Sequence, residues 1–210
     1  MSRFFNKYKI ETVVGNMSGG KTTDLIHRGK IVEYYGSIDV FYFKHCNDTR
    51  TSASIIRSKD GISVDAVSFK SGYDIVRAIA DTPPSLILVD ETQFAYKDII
   101  HAAWLLRNAG HNIVFYGLAL DYRGMTFGYM PHLMAMADIV HYKYPMCSAK
   151  EGCYEDGVLP QRLRNGKPDS AWSPTVIIDG EREDITYEPR CMVHHTVPNL
   201  KAWIDSQEWT

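Results

Sequence analysis

The octapeptide Gly15-Asn16-Met17-Ser18-Gly19-Gly20-Lys21-Thr22 lies between an apolar run, IETVVG, and a helix-patterned run, TTDLIHRGKIVEYY. It satisfies G-x-x-x-x-G-K-[ST], and its place between an expected strand and an expected helix gives the match its weight against a glycine-rich turn that fits by chance. Glycines 15, 19 and 20 let the backbone turn so that successive N–H groups face phosphate oxygens. The positive end of the following helix adds to the attraction. In such a loop Lys21 reaches the β- and γ-phosphates and the Thr22 hydroxyl ligates Mg2+.

The strand-helix alternation that begins here continues downstream. After a helical pattern over 21–35 come DVFYFK, ISVDAVSF, a helical GYDIVRAIA, SLILVD, a helical KDIIHAAWLLRNAG ending at Gly110, and NIVFYGLAL. Alternation of this kind predicts a parallel sheet with helices on its faces, and the nearly continuous apolar runs SLILVD and NIVFYGL suit strands covered on both sides. A polar stretch between Lys44 and Ile62 is too long for a simple connection. After about Tyr144 the chain turns dense in Gly, Pro and charge, with one β-like run, TVIID, and a cysteine-histidine cluster; Pro198 then opens a short helix, NLKAWIDS. These shifts divide the chain into 1–143, 144–197 and 198–210.

At 210 residues the chain can bury one good core and carry a small module. Lys and Arg number 23 against 25 Asp and Glu, and no dense basic tract marks a nucleic-acid partner. No apolar run approaches the roughly 20 residues of a membrane span, so a soluble, unexported, cytoplasmic protein without a membrane partner is expected. The four cysteines, with no signal segment ahead of them, favour reduced thiols or metal ligands over disulfides. Cys46, alone near a strand end, reads as a small packed residue.

SLILVD runs into Glu91, so an apolar strand ends in two adjacent carboxylates. Asp90 is placed to hold Mg2+. Side chains alternate along a strand, so Glu91 should aim elsewhere and serve as a general base toward a hydroxyl; the alternative is two solvated acids in a loop. Cys147-x5-Cys153 and Cys191-x2-His194 offer three thiolates and an imidazole, a set suited to tetrahedral Zn2+, with His195 as an alternative ligand and unlinked reduced cysteines as the alternative reading.

With these elements the chain resembles the thymidine kinases of the cellular and bacterial kind that carry a zinc-binding lasso domain. GNMSGGKT is similar to that family's GPMFSGKT, with Asn16 in place of the proline. DETQF (90–94) matches its DE-x-QF, LDYRGMTFG (120–128) is similar to its DFRGxPFG, and Tyr187-x-x-x-Cys191-x-x-His194 resembles its closing Y-x-x-x-C-x-x-[CH]. The resemblance implies an α/β fold built on a phosphate-loop parallel sheet flanked by helices, with a small C-terminal zinc-binding lasso domain. It implies a kinase that moves the γ-phosphate of ATP to the 5′-hydroxyl of thymidine or deoxyuridine, with Mg2+ and a structural Zn2+ held by Cys147, Cys153, Cys191 and His194.

By the same resemblance Glu91 is the base, and Gly15 to Thr22, Asp90 and Gln93 hold the nucleotide. Met17, Phe94, Leu118, Tyr122 and Phe127 surround the nucleoside, with ordinary core packing as the other reading, strongest for Leu118. Ile177, Gly180 and Tyr187 belong to a loop, Gln161 to Tyr187, that grips the base by its backbone. Arg123 either holds phosphate charge or is a solvated or structurally paired arginine. The chain departs from the family pattern at Asp179-Gly180, where Gly-Gly is usual, at the longer EREDI stretch, and at Ala119, where many relatives carry an acid. A homotetramer is implied as well. A rival of another class is a zinc-ribbon ATPase that binds single-stranded nucleic acid.

Overall fold

The computed structural model describes residues 9–36, 38–49, 52, 54–149, 152–177 and 182–207. They divide into two compact units. The first takes in the chain up to Gly15, Gly20–Ala119 and Phe127–Lys143. In chain order its elements are β1 (Ile10–Val14), α1 (Lys21–Tyr35), β2 (Val40–His45), β3 (Ile55–Arg57), β4 (Ser63–Asp65), β5 (Val67–Phe69), α2 (Gly72–Ala78), β6 (Leu86–Asp90), a single 3-10 turn (Thr92–Phe94), α3 (Asp98–Asn108), β7 (Asn112–Gly117), α4 (Met130–Met136) and β8 (Ile139–Tyr142). The sheet has the order β5-β2-β6-β7-β1-β8 and every pairing in it is parallel.

The continuous apolar strands follow from this arrangement, because each central strand feeds two cores. Ile87 and Val89 of β6 join Ile113 and Phe115 of β7 beneath α2, α3 and α4, packing on Ile75, Ile99, Leu106 and Leu133. Their neighbours Leu86, Leu88, Val114 and Tyr116 face the other way, onto Leu25, Ile26 and Val32 of α1. With both faces covered, alternation in polarity disappears and only alternation in direction remains. The C-terminal ends of β1, β6 and β7 therefore lie side by side, the edge at which open parallel sheets bind ligands. Among the described residues no helix is long and apolar enough to cross a membrane.

Several local expectations are corrected. ISVDAVSF is not one strand: β4 pairs antiparallel with β3, while β5 pairs parallel with β2. Ala66, whose N–H is bonded to the Ser54 carbonyl at 2.9 Å, is the corner between the two partners. The polar stretch after Lys44 carries β3 and is anchored by Lys44 itself, which is buried, pairs with Asp48 at 3.3 Å and donates to the carbonyls of Ser52 and Ile55.

The second unit comprises Asn16–Gly19, Leu120–Thr126 and the chain from Tyr144 on. It contains β9 (Leu159–Arg164), β10 (Lys167–Pro168), β11 (Ile185–Arg190) and α5 (Leu200–Asp205), with an antiparallel sheet in the order β10-β9-β11. TVIID forms no strand over 175–177, and the rest of it lies outside the described residues. The strands form instead in LPQRLR and ITYEPR, where the buried side chains include Gln161 and Arg162 and hydrogen bonds replace part of the apolar signal. The apolar core here is small, Tyr122, Ala171 and Val197 with Tyr187, Leu200 and Trp203 against it.

Candidate active site and metal centre

The phosphate-loop sequence occupies the turn between β1 and α1. Gly15 has φ 155°, and a Cβ there would sit 1.8 Å from the Lys143 carbonyl oxygen, so no other residue fits without moving the chain after β8. Ser18 and Gly20 both have positive φ, at 63° and 78°. Asn16 is buried and bonded within the second unit: its Nδ2 donates to the Gly157 carbonyl at 2.9 Å and its Oδ1 accepts the Met17 N–H at 2.8 Å. Those two bonds explain how an asparagine serves where the family pattern has proline. Lys21 Nζ donates to the Gly15 carbonyl at 3.1 Å. Gly20 caps α1 in the left-handed conformation and brings no side-chain hydrogen bond to the helix start. The helix start is pinned through Asp24, which accepts the Tyr116 hydroxyl at 2.9 Å and pairs with Lys143 at 2.9 Å. Burial pushes the Tyr116 phenol well above its ordinary value.

Asp90, the last residue of β6, is buried, and its Oδ2 lies 3.5 Å from Thr22 Oγ1. Glu91 does diverge from it, although for a different reason than strand alternation. Glu91 stands outside the strand at φ 54°, ψ 38°, in the left-handed region, as the cap of the 3-10 turn. A non-glycine residue there is uncommon, and such backbone strain concentrates at functional sites. Gln93 Nε2 donates to Glu91 Oε2 at 2.5 Å, and Gln93 Oε1 accepts the Leu118 N–H at 3.1 Å. Phe94 and Phe127 meet edge to face with ring centroids 5.8 Å apart. Within the first unit, then, Glu91, Gln93, Phe94, Leu118 and Phe127 are drawn around one turn.

His45 escaped the sequence reading. It ends β2, is buried against Phe69 at 5.0 Å and lies 6.1 Å from Phe94. Burial lowers its basicity, while the Lys70 backbone and the charge of Glu91 work the other way. Its Nδ1 accepts the Asn47 N–H at 3.2 Å, which leaves the proton on Nε2. Nothing in its sequence context separates it from an ordinary strand-end histidine.

In the second unit Tyr122 is buried, and its hydroxyl donates toward the carbonyls of Ser170, Ala171 and Ser173 at 2.9, 3.3 and 2.9 Å. Arg162 and Arg123 lie over its ring at 3.4 and 4.5 Å. Arg123 is the structurally paired arginine of the two readings: it bonds Asp121, the Thr175 hydroxyl and the carbonyls of Ala171 and Ser173, and is 5% exposed. Arg162, fully buried, pairs with Asp169 at 2.9 Å. Burial pushes the Asp169 carboxyl up, but Arg164, Ser173 and Arg162 outweigh it and hold it below the usual carboxylate range. Tyr187 donates to the Ile177 carbonyl at 2.6 Å, which closes the base of the expected lasso loop. Gly180 lies outside the described residues.

Cys147, Cys153, Cys191 and His194 present their ligand atoms within 4.8 Å of one another. Individual separations are 3.7 Å for Cys147 Sγ to His194 Nδ1, 3.3 Å for Cys191 Sγ to the same nitrogen, and 3.9 Å for Cys153 Sγ to Cys191 Sγ. A tetrahedral zinc with sulfur at about 2.3 Å and nitrogen at about 2.0 Å has edges of about 3.5–3.8 Å, so the group fits that ion. Burial pushes the Cys147 thiol up, but backbone N–H groups of Cys191 and Ala149 and the His194 ring outweigh it and draw it down to about 6. His195 is engaged elsewhere, its Nε2 lying 3.0 Å from the Tyr122 carbonyl.

A parallel sheet, a glycine-rich turn from β1 into the N-terminus of α1, and an acid pair at the end of β6 define a phosphate-loop α/β protein. A family model described as thymidine kinase matches residues 8–195. The chain belongs to the thymidine kinase family, which makes it a nucleoside kinase with an appended Cys3His group. Among solved structures it is similar to the genome packaging NTPase B204 from Sulfolobus turreted icosahedral virus 2 in complex with ATP-gammaS, at 15% identity and TM-score 0.44, covering 67% of this chain and 76% of that one. It is also similar to the Legionella pneumophila ATPase DotB, at 18% identity and TM-score 0.37 over 63% and 35% of the two chains. A third is domain III of the Thermotoga maritima replication initiation protein DnaA, at 14% identity and TM-score 0.38 over 66% and 56%.

Proposed function

We propose that the chain is an ATP-dependent thymidine kinase that makes the nucleoside 5′-monophosphate, with Glu91 as general base. The observation that carries this reading is Glu91 held in the left-handed conformation just beyond β6, beside Asp90 and at the head of the turn that carries Phe94. In this reaction the 5′-hydroxyl gives its proton to the Glu91 carboxylate as its oxygen bonds to the γ-phosphorus, and the bond from that phosphorus to the β-γ bridging oxygen breaks to release ADP. The loop Gly15, Asn16, Met17, Ser18, Gly19, Gly20, Lys21, Thr22 cradles the donor phosphates through backbone N–H groups and the Lys21 amine. Thr22 Oγ1 and Asp90 Oδ2, 3.5 Å apart, are hard oxygen donors suited to Mg2+. That ion, when bound, neutralises phosphate charge. Phosphoryl transfer depends on alignment and charge stabilisation more than on covalent chemistry, which suits this set.

Met17, Phe94, Leu118, Tyr122, Phe127, Ile177, Gly180 and Tyr187 are assigned to the nucleoside by the family likeness. Residues 1–143 are assigned as the kinase domain, 144–197 as the lasso domain and 198–210 as a tail; a homo-oligomer follows from the family likeness. Zn2+ held by Cys147, Cys153, Cys191 and His194 would supply a structural cross-link, since four protein ligands leave no open position. Cys153→Ser is accordingly expected to reduce bound zinc from about one equivalent per chain to well below it and to lower Tm by several degrees. Elemental analysis and a thermal melt check both.

ADP release measured with thymidine, deoxyuridine, other nucleosides and single-stranded DNA tests the assignment. Stimulation by thymidine supports it. Stimulation by DNA alone would identify the zinc-ribbon ATPase instead.

A further inference from the structure

Gln93 stands out because its side chain is 2% exposed and bonded at both ends, which is unusual for a residue assigned to a mobile nucleotide. Its amide orientation follows from chemistry. The Leu118 N–H is only a donor, so the oxygen Oε1 must face it, and Nε2 is then the end that meets Glu91 Oε2. The neighbouring backbone is shaped around this placement: a Cβ on Gly117 would lie 2.6 Å from Gln93 Oε1, and one on Gly128, where φ is 54°, would lie 2.2 Å from the Gln93 carbonyl oxygen. The turn is closed as well, by Phe94 N–H to the Glu91 carbonyl at 3.2 Å and by the Thr92 hydroxyl to the Val89 carbonyl at 3.1 Å.

We propose that Gln93 is a positioning residue for the reaction: it fixes the Glu91 carboxylate by holding Oε2, so that Oε1 takes the proton of the acceptor hydroxyl. This rests on the reading of Glu91 as the base. The geometry explains why a carboxylate on a strained backbone needs a second restraint. The left-handed cap aims the Cα–Cβ bond, but rotation about the glutamate side-chain bonds would still spread the carboxylate over several ångströms. A donor anchored through the Leu118 N–H, just beyond β7, restrains that rotation at Oε2. Misplacing a catalytic group by about 1 Å can cost about 10²-fold in rate.

A double-mutant cycle separates this role from a nucleotide contact or a packing role. With Mg-ATP and thymidine, Gln93→Met is expected to lower kcat about 10- to 50-fold while KM for both substrates changes less than about threefold. In the Glu91→Gln background the same change is expected to alter kcat by no more than about twofold, because the group it acts through is gone. Equal losses in both backgrounds, or a rise in KM for ATP with kcat unchanged, would overturn the proposal. Gln93→Glu is the isosteric check. It keeps an oxygen for the Leu118 N–H and places a second carboxylate against Glu91, so the acid limb of the kcat profile is expected to move up by about one pH unit or more. A profile unchanged from wild type would count against the proposal even if Gln93→Met failed to fold. Wild-type kcat in Glu91→Gln alone would instead remove the base itself, and the proposal with it.

Discussion

Glu91→Gln is expected to lower turnover by about 10²-fold or more while ATP affinity stays nearly intact. The substitution keeps the shape of the side chain and a carbonyl oxygen for the Gln93 amide, so the 3-10 turn and its left-handed cap have no reason to change. What it removes is the capacity to accept a proton. The 5′-hydroxyl of a nucleoside is a weak nucleophile at neutral pH, and without a base it must lose its proton to the phosphate or to solvent. The donor phosphates are assigned to the Gly15–Thr22 loop and to Lys21, so their binding does not depend on Glu91. Steady-state kcat together with the Kd of a non-hydrolysable ATP analogue separates the two quantities. Turnover at the wild-type level would remove Glu91 from the mechanism.

The second large effect concerns stability. Asp169→Asn is expected to cost about 3–5 kcal/mol, on the order of 10 °C in Tm, because it leaves Arg162 charged inside the protein with no counter-charge. The Arg162 side chain is fully buried and Asp169 is 4% exposed, so water cannot take over the role of the carboxylate. The pair also anchors more than itself: Asp169 accepts from Arg164 at 3.0 Å and from the Ser173 hydroxyl at 2.9 Å, and Arg162 lies on the Tyr122 ring. Lys201→Ala provides the contrast, since its pair with Asp205 is 89% and 61% exposed and should be worth less than about 1 kcal/mol.

The sign of the pH dependence follows from the depressed carboxyl of Asp169. Its stabilisation is complete above the ordinary aspartate value of about 3.9 and is lost as pH falls through the lower value it has in the folded protein. Wild-type stability should therefore decline in that acid window, and the asparagine variant should lack this part of the decline. Equal denaturation midpoints for the two proteins at neutral pH would mean that the pair is dispensable.

The parallel sheet was legible because its signals are local. The phosphate-loop spacing, the continuous apolar runs of β6 and β7, and Gly110 after α3 each follow from a few adjacent residues, and Gly110 does adopt φ 94°. The thiol-imidazole set was legible only with the family resemblance beside it, since Cys147-x5-Cys153 is wider than the usual two to four intervening residues and spacing alone suits unlinked reduced cysteines equally well. What stayed hidden depends on partners far along the chain. β9 reads LPQRLR and shows no apolar alternation, because Arg162 is buried by Asp169, Tyr122 and Tyr187 rather than by its own chemistry. The split of ISVDAVSF into β4 and β5 reflects two different pairing partners, β3 and β2, which no propensity encodes.

At the candidate site the residue types were readable and their attitudes were not. The acid pair 90–91 was evident, yet the divergence of Glu91 comes from a positive φ rather than from strand alternation. Arg123 looked equally suited to a phosphate or to a structural pair; only its bonds to Asp121, Ala171 and Ser173 decide for the latter. His45 carries no distinguishing sequence signal, and the motif that singled out Gln93 does not reveal that its amide bonds Glu91.

The most direct test of the proposed function is to follow phosphorus itself, by 31P NMR and mass spectrometry, in a reaction of the purified protein with Mg-ATP and thymidine. The account predicts equimolar ADP and a phosphomonoester on the nucleoside 5′-oxygen, with loss of the signal in Glu91→Gln. Free inorganic phosphate with the thymidine unchanged, or a phosphate on any other oxygen of the nucleoside, would contradict it.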